Sequence, residues 1–134
     1  MADMNDILKL LEQKGISNVI PEAEMLAAFL ETSKRKVYMG IDPTANKIHI
    51  GHAVPLRVLQ LLSEMGHDVT FLVGDFTALI GDNSDKETER PVLTREEIEV
   101  NFTDYKQQAS KVIDFDKITI VHNSQWLSQL NLKR

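Results

Sequence analysis

The residue types best suited to chemistry are concentrated in one short stretch. Gly40-Ile41-Asp42-Pro43-Thr44 is followed, after a polar link, by His49-Ile50-Gly51-His52. The first part is rich in turn formers and the second opens a helical pattern, so the stretch lies between a strand and the amino terminus of a helix. Free backbone N–H groups and the positive end of the helix dipole meet there, an arrangement suited to an anion such as a nucleotide phosphate. Gly51 has no side chain to keep a ligand off the backbone. His49 and His52 can donate hydrogen bonds to phosphate or ribose oxygens without being proton-transfer groups. Two other readings of the pair stand beside this one. A metal site lacks a third ligand at plausible spacing, and the chain has no Cys. Two satisfied structural histidines at a helix start are the default for the motif taken alone.

A second group follows a run of strand residues. Gly81-Asp82-Asn83-Ser84 consists of four turn formers and reads by itself as a simple turn. Its carboxylate, in a glycine-flanked loop at a strand end, is also what a bound ammonium group would need. Lys86 and Arg90, among Asp85, Glu87 and Glu89, read by themselves as solvated charges. Tyr38 alone is a strand residue packing its ring, and Phe102 and Trp126 read as core.

The elements that must position these residues alternate. Asp6 to Lys14 predicts a helix with an apolar stripe of Ile7, Leu8, Leu10 and Leu11, stopped by Gly15. Pro21 suits a first helical position, and Met25, Leu26, Phe29 and Leu30 are expected to face a core. Lys34, Arg35 and Lys36 form a basic turn. Val37 to Ile41 is a short β-type run. A helix is expected from His52 to Glu64, with Val54, Val58, Leu61, Leu62 and Met65 on its apolar side and Pro55 in its first turn. Val69 to Val73 reads as a strand buried on both faces, and Gly74 to Asp85 as a glycine-rich loop. Thr94 and Glu97 form a capping box opening a helix to about Val112. Ile118 to Val121 is a third strand, and Gln125 to Leu130 starts another helical turn. Strand, helix, strand, helix, strand is the rhythm of parallel βαβ units with right-handed crossovers. Ligands of such sheets bind at the carboxyl ends of the strands, here the loops that begin near Asp42, Gly74 and His122.

Bulk properties narrow the function classes. With 134 residues, 43% hydrophobic and 26% charged, the chain has the composition of a globular domain. It lacks an apolar run of membrane-spanning length, and its acidic amino terminus does not resemble a secretory signal, so a cytoplasmic location is expected. A net charge of −5 argues against a surface devoted to nucleic acid, although local basic patches stay compatible with it. The absence of Cys removes disulfides and thiolate chemistry.

Taken together, the motifs resemble a known family. His49-Ile50-Gly51-His52 matches the HIGH signature of class I aminoacyl-tRNA synthetases, and Tyr38 to Thr44 before it is similar to tyrosyl-tRNA synthetases in particular. Gly74 to Asp82 resembles the second block of that family and Asn123-Ser124-Gln125-Trp126 a third, in the family's order and spacing. The resemblance implies an α/β, Rossmann-like (HUP-type) parallel sheet with flanking helices. Residues 1–35 would form a helical segment packed on it, and residues 36–134 the first part of an incomplete nucleotide-binding catalytic domain. It implies ATP and tyrosine as substrates, Mg²⁺ accompanying ATP, tRNA(Tyr) as partner of the full-length enzyme and a homodimer. Tyr38 would bond the phenol of the substrate. Asp82 with Thr77 would hold its ammonium, Asp42 would line the site near the amino group and ribose, and Asn123 would help position the substrate side. Gly40 would leave room for the adenylate. Thr44 and His49 would contact the ATP phosphates, His52 would lie near the ribose, and Gly51 would let adenine pack on the helix. Lys86 and Arg90 would meet the leaving pyrophosphate. No metal ligand is assigned.

The chain departs from the family pattern in two places. Asn83 stands where many members have Pro, and the KMSKS-type loop, the rest of the pocket, the last strands of the sheet, most of the dimer interface and the anticodon-binding parts would lie beyond Arg134. The isolated piece is therefore expected to bind ATP or tyrosine weakly and to be marginally stable or self-associating. The competing expectations are a non-catalytic ligand-binding relative and another nucleotidylyltransferase with an HxGH-like motif.

Overall fold

The computed structural model describes residues 4–13, 16, 18–80 and 93–130. Among the described residues six α-helices and three strands follow in the order α1 (Met4–Gln13), α2 (Ala23–Thr32), β1 (Lys36–Ile41), α3 (Ile50–Glu64), β2 (Asp68–Val73), α4 (Asp75–Ile80), α5 (Arg95–Ala109), β3 (Thr119–His122) and α6 (Ser124–Leu127), with a 3₁₀ turn at Phe115–Lys117 before β3. The strands form one parallel sheet in the order β1-β2-β3, with Ile41 beside Val73 and Val73 beside His122. The α/β class with a parallel sheet and flanking helices, expected from the sequence, is what the chain adopts.

The core lies on one face of this sheet. Phe71, Val69 and Val73 of β2 join Leu56, Leu59 and Leu62 of α3, Tyr105 and Ala109 of α5, and Ile7, Ala27 and Leu30 of α1 and α2 in a single buried cluster. Both crossover helices therefore cover the same side. This follows from strand order, because consecutive right-handed crossovers that advance in one direction put their helices on one face. Tyr38, Gly40, Thr70 and Leu72 point the other way, and that face is open among the described residues. Tyr38 is 75% exposed.

Several local expectations are corrected by this packing. β2 is not buried on both faces; only Val69, Phe71 and Val73 are. The core side of α3 is Leu56, Leu59 and Leu62, while Val54 is exposed. Met25 and Phe29 are exposed rather than inward, because the buried face of α2 is Ala27 and Leu30. The Phe29 ring instead lies under the Arg35 guanidinium, 3.6 Å from its centroid. Pro21 lies before α2, whose N-cap is Glu22. Trp126 is exposed, not core. The chain after Gly74 turns at once into helix α4 rather than staying a loop. Helix α3 starts earlier than expected, which makes Pro55 its sixth residue and removes the N–H that a regular helix would bond to the Gly51 carbonyl.

Two features fix how α3 is followed by β2. Gly66 takes a φ of +92° just after the helix, a conformation that side-chain-bearing residues rarely adopt. His67 then buries its imidazole, and its Nδ1 accepts the Arg35 N–H at 3.2 Å, tying the start of β2 to the start of β1. Burial and the nearby Arg35 charge both hold His67 below its ordinary imidazole range. The Lys34–Asp68 ion pair alongside is exposed and contributes little to stability.

Candidate functional site

The site forms where the three strands end. Gly74 N–H bonds to the Ile41 carbonyl at 2.7 Å and Asn123 N–H to the Val73 carbonyl at 2.9 Å, so the strand ladder continues into the loops and holds their first residues abreast. Side chains then join the loops. Thr77, one turn into α4, donates to Asp42 Oδ1 at 2.7 Å and receives the Asn123 amide N–H at 3.1 Å. The other end of that amide accepts the Phe76 N–H at 2.9 Å, and Asn123 is buried to 6% exposure. Asp42, Thr77 and Asn123, each a site residue expected from the sequence, therefore form one connected network across β1, β2 and β3.

Gly74 is a steric requirement of this network. A Cβ there would overlap the Asp42 carboxylate and lie 2.5 Å from Thr77 Oγ1. Around it opens a hollow of about 330 Å³ lined by Gly40, Ile41, Asp42, Leu72, Gly74 and Asn123. Tyr38 and Gly40 alternate with inward-facing residues of β1, which places both on the open face, the face carrying Leu72 of this hollow. Only Gly40 lines the hollow itself.

Asp75, beside Gly74, was missed by sequence reasoning. Its Oδ1 accepts the N–H groups of Phe76 and Ser124, each at 3.0 Å. Its Oδ2 accepts the Ser124 hydroxyl at 2.7 Å and faces His122 Nδ1 at 3.2 Å. Burial opposes the Asp75 charge, but the Ser124 hydrogen bonds and the attraction of His122 outweigh it, so the carboxyl titrates below the ordinary aspartate value. Ser124 and His122 both bond the carboxylate rather than each other, so the trio joins the start of α4 to the turn between β3 and α6 and is not a nucleophile–base pair. Its polar residues gave no local signal, since the partners are more than forty positions apart.

The second half of the site is the start of α3. His49 is its N-cap, a position usually taken by Ser, Thr, Asp or Asn. His49 Nδ1 accepts the Gly51 N–H at 3.1 Å, and His52 Nδ1 accepts the His49 N–H at 3.2 Å. The two rings lie 4.1 Å apart between centroids. These bonds assign a role to each nitrogen: Nδ1 is the acceptor in both rings, so the neutral imidazoles carry their proton on Nε2. Each histidine thus has an N–H donor with no partner among the described residues, while its other nitrogen caps the helix. The structural and the ligand-binding readings of the pair are compatible, because they use different atoms. Gly51 is again required, since a Cβ would come within 2.9 Å of the His49 ring.

Thr44 is exposed in the loop that joins Asp42 to His49. Asp82, Lys86 and Arg90 lie outside the described residues. Among the described residues no group of three or more His, Cys, Asp or Glu is placed to hold a metal ion, and no helix is long and apolar enough to cross a membrane.

Known proteins share the sequence and the fold of this chain. The sequence model of the family described as tRNA synthetases class I (W and Y) matches residues 30–134. A tyrosine–tRNA ligase of Photobacterium profundum is 48% identical over 118 residues, 88% of this chain and 30% of its own length. One from Haemophilus influenzae is 43% identical over 130 residues, 97% of this chain and 32% of its own length. The chain therefore spans about a third of the length of these relatives. Among solved structures, a C-terminally truncated mitochondrial tyrosyl-tRNA synthetase of Aspergillus nidulans shares the fold, with TM-score 0.72 and 24% identity over 94% of this chain and 39% of its own. A tyrosyl-tRNA synthetase of Archaeoglobus fulgidus, solved with L-tyrosine, matches with TM-score 0.68 and 25% identity over 95% of this chain and 37% of its own.

Proposed function

Since the chain belongs to the class I tRNA synthetases of the tryptophan and tyrosine type, we propose that it carries the ATP- and tyrosine-binding part of a tyrosine–tRNA ligase. One juxtaposition supports this reading above all. The Asp42 carboxylate, held by Thr77, which Asn123 in turn anchors, stands at one end of a loop whose other end presents the Nε2–H groups of His49 and His52. A cation-binding group and two donors for an anion flank the same loop, as an amino acid and a nucleotide would need.

In the proposed reaction the carboxylate of tyrosine attacks the α-phosphate of ATP. A new P–O bond forms to the tyrosyl carboxylate, the bond to the pyrophosphate oxygen breaks, and tyrosyl adenylate and pyrophosphate result. The tyrosyl group then passes to the terminal ribose of tRNA(Tyr). The protein needs no nucleophile of its own. Alignment and donors aimed at the charge that grows on the phosphates supply the catalysis. His49 and Thr44 would contact the terminal phosphates, His52 the ribose, and Gly51 would let adenine lie against α3. Gly40 would leave space for the adenylate, and Tyr38 would bond the phenol. Asp42 and Asp82 would face the ammonium. Thr77, whose hydroxyl proton is directed at Asp42, would act mainly by fixing that carboxylate. Lys86 and Arg90 would accompany the leaving pyrophosphate. Mg²⁺ would arrive on the ATP phosphates with its water shell. The homodimer, tRNA(Tyr) as partner and a cytoplasmic setting belong to the same proposal.

Titration calorimetry with tyrosine, phenylalanine, ATP and a pantetheine-type substrate tests the reading. Tyrosine and ATP should bind, phenylalanine should bind more weakly, and the pantetheine compound should give no heat. Tyr38→Phe should narrow the tyrosine–phenylalanine difference by about tenfold, the worth of one hydrogen bond to a buried phenol. Equal binding of the two amino acids by the unaltered chain, or binding of the pantetheine compound alone, would refute it.

A further inference from the structure

We infer that Asn101 and Gln108, with Tyr105 on the same face of α5 backing the start of α3, clamp the Asp42–His49 loop in the shape that presents the histidine N–H groups to nucleotide phosphate. They are positioning residues rather than ligands, and the inference rests on the nucleotide reading given above.

The loop cannot hold this shape alone. Among the described residues its one internal backbone bond before the cap is Thr44 N–H to the Asp42 carbonyl, at 2.8 Å. Apart from the Thr77–Asp42 bond at its start, the loop's other anchors among the described residues come from α5. Asn101 Nδ2 donates to the Pro43 carbonyl at 3.1 Å. Gln108 Nε2 donates to the Asn46 carbonyl at 2.7 Å, while its Oε1 accepts the Ile48 N–H at 3.2 Å. One side-chain amide thus binds both sides of the turn just before His49. Pro43, between these contacts and β1, is fully buried. Tyr105 backs the start of α3 just past the loop, with its ring edge-on to the His52 imidazole at 6.1 Å between centroids. The three residues are spaced i, i+4 and i+7, which places them on one helical face.

This face does more than fill space. Tyr105 also packs against Phe71 in the core, so the clamp is rooted in the covered side of the sheet. The two amides, by contrast, are only half-buried and reach backbone groups that no other residue bonds among the described residues. A loop released at Asn46 and Ile48 would let the His49 cap swing, and the Nε2 donors would lose their direction although every ligand residue stayed in place.

The test is NMR of the ¹⁵N-labelled chain, with ATP titrated into the millimolar range, for the unaltered protein, Gln108→Leu and Gln108→Glu. Gln108→Leu should weaken ATP binding about tenfold, the loss expected of one to two neutral hydrogen bonds. It should speed amide exchange at Ile48, leave the amides of β2 as slow as before and leave tyrosine binding unchanged. Gln108→Glu, which keeps the acceptor for Ile48 and loses the donor to Asn46, should fall between the two, and it carries the test should the leucine variant fail to fold. Unchanged ATP affinity and Ile48 exchange in both variants would overturn the clamp. Absence of any ATP response at His49 and His52 in the unaltered chain would instead overturn the nucleotide reading, and the clamp's purpose with it.

Discussion

Along β2, neighbouring residues of one strand live in different surroundings. Val69, Phe71 and Val73 are almost wholly removed from water, whereas Thr70 and Leu72 between them stay partly exposed. The same division runs through β1, where Val37, Met39 and Ile41 turn to the core and Tyr38 and Gly40 turn away. The covered face carries the hydrophobic stability of the domain. The open face and the strand ends carry those described residues that are proposed to meet tyrosine. Cohesion and recognition are thus separated by the two-residue period of a strand.

The comparison can be broken by substitution. Phe71→Ala should have the largest effect, about 3–5 kcal/mol of lost stability, because the ring is fully buried and touches both Tyr105 and Phe115. A urea unfolding series checks it, and a loss below about 1 kcal/mol would mean the covered face is not the core. Gly74→Ala should come next, at about 1–3 kcal/mol, since the added methyl must displace the Asp42 carboxylate from Thr77. Tyrosine affinity should fall with it, whereas a purely structural glycine would lose stability alone.

A smaller effect should appear on acidification. The folded-state pKa of His67 lies below its unfolded value of 6.5. Between the two, the unfolded chain binds the extra proton, so stability rises with pH there. The His67 contribution is therefore complete above pH 6.5 and fades as the pH falls through that value towards the lower, folded one. Thermal midpoints measured across that window should decline, and His67→Gln should flatten the slope. Tyr38→Ala should do least to stability, within about 0.5 kcal/mol, as expected of an exposed position. A large destabilisation would show that the open face is not open.

Much of this arrangement was legible in the sequence where the signal is local. The Thr94–Glu97 capping box is present as read, with Glu97 N–H on the Thr94 hydroxyl and Thr94 N–H on the Glu97 carboxylate. The strand–helix rhythm gave the parallel sheet, and the turn residues marked the strand ends where the hollow lies. What was illegible is non-local. The apolar run of β2 does not say how many faces will be covered, because coverage depends on which side the crossovers pass. The stripe of α3 was only partly read: Leu62 is buried and Val58, Leu61 and Met65 pack against the core as expected, but apolar residues surround much of the helix, and only packing against β2 selects Leu56 and Leu59 over Val54. Asp75 and Gln108 read as ordinary polar residues until the fold sets Ser124 beside one and the His49 loop beside the other.

The strand order has a consequence for anything that extends the sheet. A further parallel strand beside β3, joined by a right-handed connection, would bring its helix to the side already occupied. One added beside β1 would have to double back, and its helix would arrive over Tyr38, Gly40 and Leu72. The edge chosen for growth therefore determines whether the Tyr38 phenol stays bathed in solvent or becomes the wall of an enclosed chamber.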